Sequence, residues 1–168
     1  EEGALELGSR TRIDTKVRPA DSTLNRVADR ILSAKNPVVV AGHELATDDA
    51  LNEAADFASI VGCPVYQQTV QYGAHFLSEH PAFMGALTRD QEQVRDILSP
   101  YDLLVVLGAD VLRMSVWAPV EPLPDGMPII QIGQRDWEMG KNFPTEMAIR
   151  ADIKETLQAL NPIINERG

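Results

Sequence analysis

The sequence predicts an α/β domain: a doubly wound, mostly parallel sheet of five or six strands with helices on both faces. Two apolar runs, at 38–40 and 103–107, each follow a helical pattern, and each ends close to a glycine, Gly42 and Gly108. Because apolarity is continuous rather than alternating in these runs, both faces of each strand must be covered, as in a parallel sheet between helices. In such Rossmann-like sheets ligands bind at the carboxyl edge, where both glycines are predicted to lie.

The pattern of polar and apolar residues divides the chain into an arm and one domain. Residues 1–20 are polar, carry mixed charge and lack sustained periodicity, so we predict a linker or arm. Residues 21–168 are predicted to form a single domain, which is long enough to bury a sizeable core. Residues able to cap a helix precede three of the helical patterns: Asp21 or Ser22, Thr47 or Asp48, and Asp152.

Helices and strands are predicted to alternate along this domain. Helical spacing places Leu24, Val27, Ala28, Ile31 and Leu32 on one buried stripe of the first helix, and Ile153, Leu157, Leu160 and Ile164 on that of the last. A third helix is predicted at 89–98. After the strand that ends before Gly42, further strands are predicted at 64–66, 103–107, 127–132 and, as an edge strand, 147–150. Residues 67–88 are predicted to be loop, and 111–126 irregular.

Composition and charge exclude several classes of partner. The formal net charge is -10, which argues against nucleic acid or an anionic membrane surface. No apolar run approaches the roughly 20 residues that a membrane span requires. Cys63 is the only cysteine, so an intrachain disulfide is impossible, and we expect a reducing, cytoplasmic setting. The chain begins with Glu1 rather than methionine, and we expect it to be a processed piece of a longer protein.

Several short motifs, in order, resemble the central domain of thiamine-diphosphate-dependent enzymes, the family of acetolactate synthase, pyruvate decarboxylase and benzoylformate decarboxylase. The resemblance covers about residues 24–160, and the stretch at 107–113 is most similar to the benzoylformate decarboxylase branch. The motifs are Ala34-Lys35-Asn36-Pro37 with the strand to Gly42, Gly62-Cys63-Pro64-Val65, His80-Pro81 before Gly85, Tyr101-Asp102 with the strand to Gly108, Met139-Gly140-Lys141-Asn142, and Ala151-Asp152.

The resemblance implies that catalysis lies outside this chain. In such enzymes an amino-terminal domain supplies a glutamate that activates the thiazolium ring, and a carboxy-terminal domain holds the diphosphate and Mg²⁺ through a Gly-Asp-Gly motif ending in paired asparagines. The sequence contains neither motif, and Pro124-Asp125-Gly126 is not the metal motif. We therefore expect a non-catalytic central domain that orients the flanking domains of a homo-oligomeric 2-oxo acid decarboxylase or acetolactate-synthase-like enzyme.

The resemblance also offers an alternative function, because the central domain of some relatives binds FAD or the ADP part of coenzyme A. The candidate cofactor-binding residues are Gly42, His43, Gly108 and Arg113, which follow the two predicted central strands. Several departures favour a structural role for the glycines. The sequence has no G-x-G-x-x-G, it places Gly133 and Arg135 where FAD-binding relatives have an acidic pair, and it has Asp110 where they carry arginine.

The remaining candidate residues do not form a catalytic or metal-binding constellation. No His-x-x-x-His or Cys-x-x-Cys pair is present, and no serine lies in a G-x-S-x-G motif, so an independent enzyme has the least support. His80 is predicted to cap a loop, and His75 to be exposed. Cys63 is predicted to be a buried small hydrophobe. Two groups have other predicted roles: exposed interface residues at Arg113, Met114, Trp117 and Trp137, and favourable charges at a helix amino terminus at Asp48, Asp49 and Glu53.

Overall fold

A computed structural model describes residues 8–168 of the chain. These residues form five α-helices and six strands. The helices are α1 (Asp21–Ser33), α2 (Glu44–Thr47), α3 (Leu51–Val61), α4 (Gln91–Leu98) and α5 (Ile153–Arg167). The strands are β1 (Pro37–Ala41), β2 (Val65–Gln67), β3 (Phe83–Ala86), β4 (Leu103–Leu107), β5 (Ile129–Gly133) and β6 (Met147–Arg150), and a 3₁₀ turn spans Asp136–Glu138.

The six strands form one sheet in the order β3-β2-β1-β4-β5-β6, and all five neighbouring pairs are parallel. The chain proceeds outward from β1 to β3, then returns to the centre and proceeds outward again from β4 to β6. The strand order therefore reverses between β1 and β4, and this is the point at which doubly wound sheets open a crevice at their carboxyl edge. The predicted fold class is confirmed.

Each central strand contributes to two cores, which explains why its apolar run is continuous. Val39 and Val105 belong to the core shared with α1, α3 and α5, whereas Val38, Val40 and Val106 belong to the core beneath α4. All five are buried. A valine fully buried in this way contributes about 1.5–3 kcal/mol relative to an exposed one. The two-faced burial predicted for these strands is thus the main way in which the sheet is stabilised.

The predicted loop at 67–88 contains the edge strand β3, so that prediction was wrong for residues Phe83–Ala86. This strand is only partly buried, its register with β2 is irregular, and Gly85 within it has a φ of 95°. It therefore lacks the continuous apolar signal that marks the inner strands. The remaining strand predictions are confirmed to within two residues at each end.

Helix ends agree less well with the predicted caps. Asp152 caps α5 as predicted, since its Oδ1 accepts a hydrogen bond from the Glu155 amide at 3.0 Å. The predicted caps of α1 and α3 were wrong. Those helices begin after Ala20 and Ala50, neither of which makes a side-chain capping bond. A separate four-residue helix, α2, fills the segment before α3. Leu32, predicted to be buried, is 38% exposed.

Residues 8–20, the described part of the predicted arm, form no helix or strand. The arm contacts the domain near the start of α5, where the Asp152 amide donates a hydrogen bond to the Val17 carbonyl at 2.8 Å. Lys16 lies 3.5 Å from the Glu155 carboxylate. Within residues 8–168, no helix is long and apolar enough to cross a membrane.

Candidate site at the carboxyl edge of the sheet

A crevice of about 470 Å³ opens at the carboxyl edge of the sheet, beside the reversal of strand order. Four segments surround it, which follow β1, β2, β4 and β5. We call the lining residues Glu44, Gln134 and Arg135, together with Asp48 bonded to Gln134, the β5 wall. The lining residues Gln68 and Tyr72, together with His75 bonded to Tyr72, are the β2 wall. The other lining residues are His43, Thr47, Asp110, Arg113, Trp137 and Arg150.

Gly42 and Gly108 are buried beneath this crevice and pack against each other. A Cβ atom on Gly42 would lie 2.2 Å from the Gly108 carbonyl oxygen and 2.3 Å from the Ala109 Cα. Gly108 has a φ of 61°, and a Cβ there would lie 2.5 Å from the Cβ of Glu44. The two glycines therefore allow the ends of β1 and β4 to approach closely. Their contacts support the structural role that the sequence favoured.

The buried carboxylate of Glu44 fills the space between the strand ends. Its Oε2 accepts a hydrogen bond from the Gln134 amide at 2.7 Å, and its Oε1 accepts one from Arg135 Nε at 3.2 Å. Gly133 makes room for it, since a Cβ at that position would lie 2.7 Å from Oε2. The Glu44 side chain is only 10% exposed. The domain thus supplies its own anion at the edge where a ligand could bind.

The three arginines of the crevice all have acidic partners. Arg135 contacts both Glu44 and Asp110, the second through NH2 at 3.1 Å. Arg113 also pairs with Asp110, while Arg150 lies 3.7 Å from Asp136. Positive charge in the crevice is therefore balanced by the domain itself, which weakens the electrostatic attraction that a phosphate group would otherwise experience.

Asp48 connects three elements rather than acting as a simple charge at the start of α3. Its Oδ2 accepts a hydrogen bond from the Ile153 amide of α5 at 2.8 Å, and its Oδ1 accepts one from Gln134 Nε2 at 2.8 Å. Burial raises the pKa of Asp48, although both hydrogen bonds oppose that shift. Glu53 lies in the first turn of α3, as predicted, and both Asp49 and Glu53 also lie near the ammonium of Lys154.

The β2 wall contains polar atoms that lack partners. Gln68 is 4% exposed, and its Oε1 accepts no hydrogen bond. His75, predicted to be exposed, is 1% exposed, because its loop folds back over β2 and its amide donates to Gln67 Oε1 at 2.9 Å. Among residues 8–168, the His75 Nδ1 has no hydrogen-bond partner. Burial lowers the pKa of His75, and the nearby His43 lowers it further, since a second positive charge would be repelled.

Aromatic rings surround the mouth of the crevice. The ring of His43 makes edge-on contacts with both Tyr72 and His75, each at a centroid distance of 5.9 Å. Tyr72 is 67% exposed and Trp137 is 65% exposed. Trp117 is exposed as well, as predicted, but Met114 is partly buried against the core beneath α4.

The structure places the predicted site residues in two different environments. His43 and Arg113 line the crevice and are exposed, whereas Gly42 and Gly108 are buried beneath it. Sequence reasoning missed Glu44, although Glu44 directly follows His43, which was a candidate residue. It also missed Gln68, Tyr72 and Gln134. The one available signal was position, since all four lie within five residues of a strand end.

Two further predictions concern residues away from the crevice, and both are confirmed. His80 caps its loop, because its Nδ1 accepts a hydrogen bond from the Ala82 amide at 3.2 Å. Cys63 is buried, and burial raises the pKa of its thiol to about 12. A thiol with so high a pKa is almost entirely protonated at neutral pH and is a poor nucleophile.

A six-stranded, doubly wound parallel sheet with a crevice at its carboxyl edge defines a Rossmann-like α/β domain. Residues 24–160 match the family model described as the central domain of thiamine pyrophosphate enzymes, and the chain belongs to this family. The predicted resemblance is thereby confirmed over the same residues.

Relatives of this chain include proteins that decarboxylate aromatic 2-oxo acids. Benzoylformate decarboxylase of Pseudomonas aeruginosa is 29% identical over 158 residues, which are 94% of this chain and 30% of that protein. Two solved structures each have a TM-score of 0.84 and are 26% identical to this chain. The match to 4-hydroxybenzoylformate decarboxylase of Rhodococcus jostii covers 92% of this chain and 29% of that one. The match to benzoylformate decarboxylase of Polynucleobacter necessarius covers 98% of this chain and 31% of that one. The chain thus spans about a third of their length.

Proposed function

We propose that this chain is the non-catalytic central domain of a thiamine-diphosphate-dependent 2-oxo acid decarboxylase, and that it holds the flanking, cofactor-binding domains in position. The observation that carries the proposal is that the charged groups of the crevice are paired with other groups of the same domain. At the edge of the sheet where a ligand would bind, Glu44 and the three arginines bind one another or neighbouring side chains. Because the charged groups at this edge are already paired, they support a structural role for the domain.

The described residues do not fit the cofactor itself. Among residues 8–168, no group of three or more His, Cys, Asp or Glu side chains is arranged to hold a metal ion. Thiamine diphosphate and Mg²⁺ would therefore be held by the flanking domains of the parent protein, and no catalytic step is assigned to this chain. The relatives named above favour an aromatic 2-oxo acid as the substrate of that parent, with an acetolactate-synthase-like carboligation as the other reaction to test.

We further propose that the parent is a cytoplasmic homo-oligomer. The single cysteine of this chain, Cys63, is buried and forms no disulfide within the described residues, in keeping with a reducing compartment. The exposed Trp117 and Trp137 support the subunit or domain contacts, because large aromatic side chains are enriched at protein interfaces.

Activity measurements on two proteins test the proposal. The chain alone and the full-length polypeptide that contains it are each supplied with thiamine diphosphate, Mg²⁺ and either benzoylformate or pyruvate, and CO₂ release is measured. We expect the full-length polypeptide to release CO₂ from an aromatic 2-oxo acid and the chain alone to release none. Turnover by the chain alone would contradict the proposal, as would an inactive full-length polypeptide that holds both cofactors.

A second candidate function is the binding of an adenine nucleotide such as FAD, ADP or coenzyme A. The β2 wall favours it, because the buried Oε1 of Gln68 lacks a donor that a nucleotide amino or hydroxyl group could supply. His43 and Arg113 would then be contact residues, with Gly42 and Gly108 giving close backbone approach. Each nucleotide is added at about millimolar concentration and the melting temperature is measured. We expect no shift, and a shift for any of the three nucleotides would support this second function instead.

A further inference from the structure

We infer that Glu44 is a built-in anion. Its carboxylate occupies an oxyanion cradle formed by the ends of β1, β4 and β5, and it thereby keeps phosphate-bearing ligands out of the crevice. The inference rests on the proposed function in one respect, which is that the crevice of this domain holds no nucleotide. The inference adds that Glu44 is the residue that keeps the nucleotide out. It also adds that the cradle accepts a small oxyanion when the Glu44 carboxylate is removed.

The donors of the cradle are of the kinds that bind phosphate oxygens. The Gln134 amide donates to one carboxylate oxygen of Glu44 at 2.7 Å, and Arg135 Nε donates to the other at 3.2 Å. Backbone amides and guanidinium groups are recurrent ligands of phosphate in proteins, because both present fixed N–H groups to an anion. The Glu44 carboxylate therefore makes contacts that a phosphate could otherwise make.

The walls of the cradle are built from glycines placed against the Glu44 side chain. A Cβ on Gly133 would lie 2.7 Å from Glu44 Oε2, and a Cβ on Gly108 would lie 2.5 Å from Glu44 Cβ. The space between the strand ends thus accommodates one side chain and its carboxylate. With this carboxylate in place, the space is filled and a second anion would overlap with it. Repulsion between the two negative charges would also oppose binding.

Replacing Glu44 with alanine tests the cradle directly. The variant Glu44→Ala keeps the Cβ that packs on Gly108 but leaves the Gln134 amide without its acceptor. We expect the melting temperature to fall by about 5 °C, because a partly buried donor is left unpaired. The 168-residue chain and the variant are then titrated with inorganic phosphate at constant ionic strength, up to about 50 mM.

Two readouts follow the titration. In ¹H–¹⁵N spectra, the signals of the Gln134 amide and of Arg135 Nε are expected to shift in a saturable way in Glu44→Ala but not in the unaltered chain. The melting temperature of the variant is expected to rise by about 3 °C more than that of the unaltered chain. The comparison with the unaltered chain corrects for the general stabilising effect of phosphate. If the variant is unfolded at room temperature, recovery of its far-ultraviolet circular dichroism on adding phosphate is the equivalent measurement.

Two further variants distinguish a cradle from a general loss of charge. Glu44→Gln fills the same space without a charge, so phosphate should have no specific effect on it. Glu146→Ala removes the carboxylate that accepts from Arg30 Nε at 2.8 Å, a pair outside the crevice to which no backbone amide contributes. This variant should also show no specific response.

The inference is overturned if Glu44→Ala and the unaltered chain respond alike to phosphate, or if Glu146→Ala responds as strongly as Glu44→Ala. These outcomes concern the cradle only, and the proposed function would still stand. Failure of the proposed function has a different signature. The chain alone would release CO₂, or the full-length polypeptide that holds both cofactors would be inactive. Binding of ADP, FAD or coenzyme A by the unaltered chain would overturn both the inference and the proposed function.

Discussion

The two walls of the crevice differ in how their polar groups are satisfied. On the β5 wall, the carboxylates of Glu44 and Asp48 each accept two hydrogen bonds, and every donor comes from the domain itself. On the β2 wall, Gln68 Oε1 and His75 Nδ1 are buried without any partner. Both walls lie at the carboxyl edge of one sheet, so their position in the fold does not explain the difference.

This comparison distinguishes buried polar groups that are hydrogen-bonded within the domain from buried polar groups that lack a partner in it. A buried polar atom without a hydrogen bond costs stability, whereas a paired one is close to neutral or favourable. The paired β5 wall therefore joins β1, β5 and α5 and stabilises the domain. We expect a ligand or a neighbouring domain to contact the β2 wall instead. The substitutions below test the comparison, in order of decreasing effect.

Gly42→Ala should have the largest effect, because the added Cβ would collide with backbone atoms of Gly108 and Ala109 rather than with a movable side chain. We expect the free energy of unfolding to fall by about 3 kcal/mol or more, measured by urea denaturation. Gly8→Ala is the control, since a Cβ there meets no atom within 4 Å. Nearly equal stability of Gly42→Ala and the unaltered chain would show that the strand ends need not lie so close.

Asp48→Asn should be the next most destabilising change, because each carboxylate oxygen accepts from a different donor. An asparagine has only one acceptor oxygen, so its NH₂ group would face either Ile153 or Gln134. We expect a loss of about 2 kcal/mol in urea denaturation. Asp49→Asn is a matched control at the next residue, where the side chain is 93% exposed, and it should leave stability nearly unchanged. Similar losses of stability for the two variants would show that the buried Asp48 carboxylate does not stabilise the domain more than the exposed Asp49 carboxylate does.

Arg135→Ala and Arg113→Ala compare an inner and an outer arginine of the same crevice. Arg135 contacts two carboxylates, whereas Arg113 pairs only with Asp110 and its side chain is 46% exposed. We expect losses of about 1 kcal/mol for Arg135→Ala and below about 0.5 kcal/mol for Arg113→Ala, measured by thermal and urea denaturation. The reverse order would show that charge pairing in the β5 wall does not contribute to stability.

The smallest effect concerns the pH dependence due to His75. Its pKa in the folded chain lies below the ordinary value of 6.5, so the unfolded chain takes up the proton first as the pH falls. Its contribution to stability is therefore present above about pH 6.5 and is lost as the pH falls through the lower, folded-state pKa. We expect unfolding measured between pH 7 and pH 5 to depend less steeply on pH in His75→Gln.

His43→Gln is the control for this measurement, because His43 is exposed. We expect that variant to keep most of the pH dependence. If His43→Gln flattens the dependence as much as His75→Gln does, burial of His75 is not its main cause.

Much of the fold could be predicted because the inner strands carry a strong, local signal. Val38–Val40 and Leu103–Leu107 are continuously apolar since each strand is covered on both faces. The edge strand β3 was missed for the converse reason, as it is only partly buried and contains Gly85. Asp152 was found because a capping residue acts on an amide three residues away.

The candidate site was predicted less well, because its contacts join residues far apart in the sequence. Glu44 and Gln134 are 90 residues apart, and Asp48 and Ile153 are 105 apart. Patterns of polar and apolar residues describe neighbours along the chain and carry no information about such pairs. His75 was predicted to be exposed for the same reason, since its burial depends on a loop that folds back over β2.

The sequence by itself determined the class of fold, the position of its binding edge and the family to which the chain belongs, because buried strands and their glycines leave a local pattern. Only the tertiary structure decided what occupies that edge. Folding brings Glu44 between Gly108 and Gly133, within hydrogen-bonding distance of Gln134 and Arg135. A carboxylate becomes an internal ligand only when distant backbone and side-chain donors converge on it, and that convergence depends on the packing of the whole sheet.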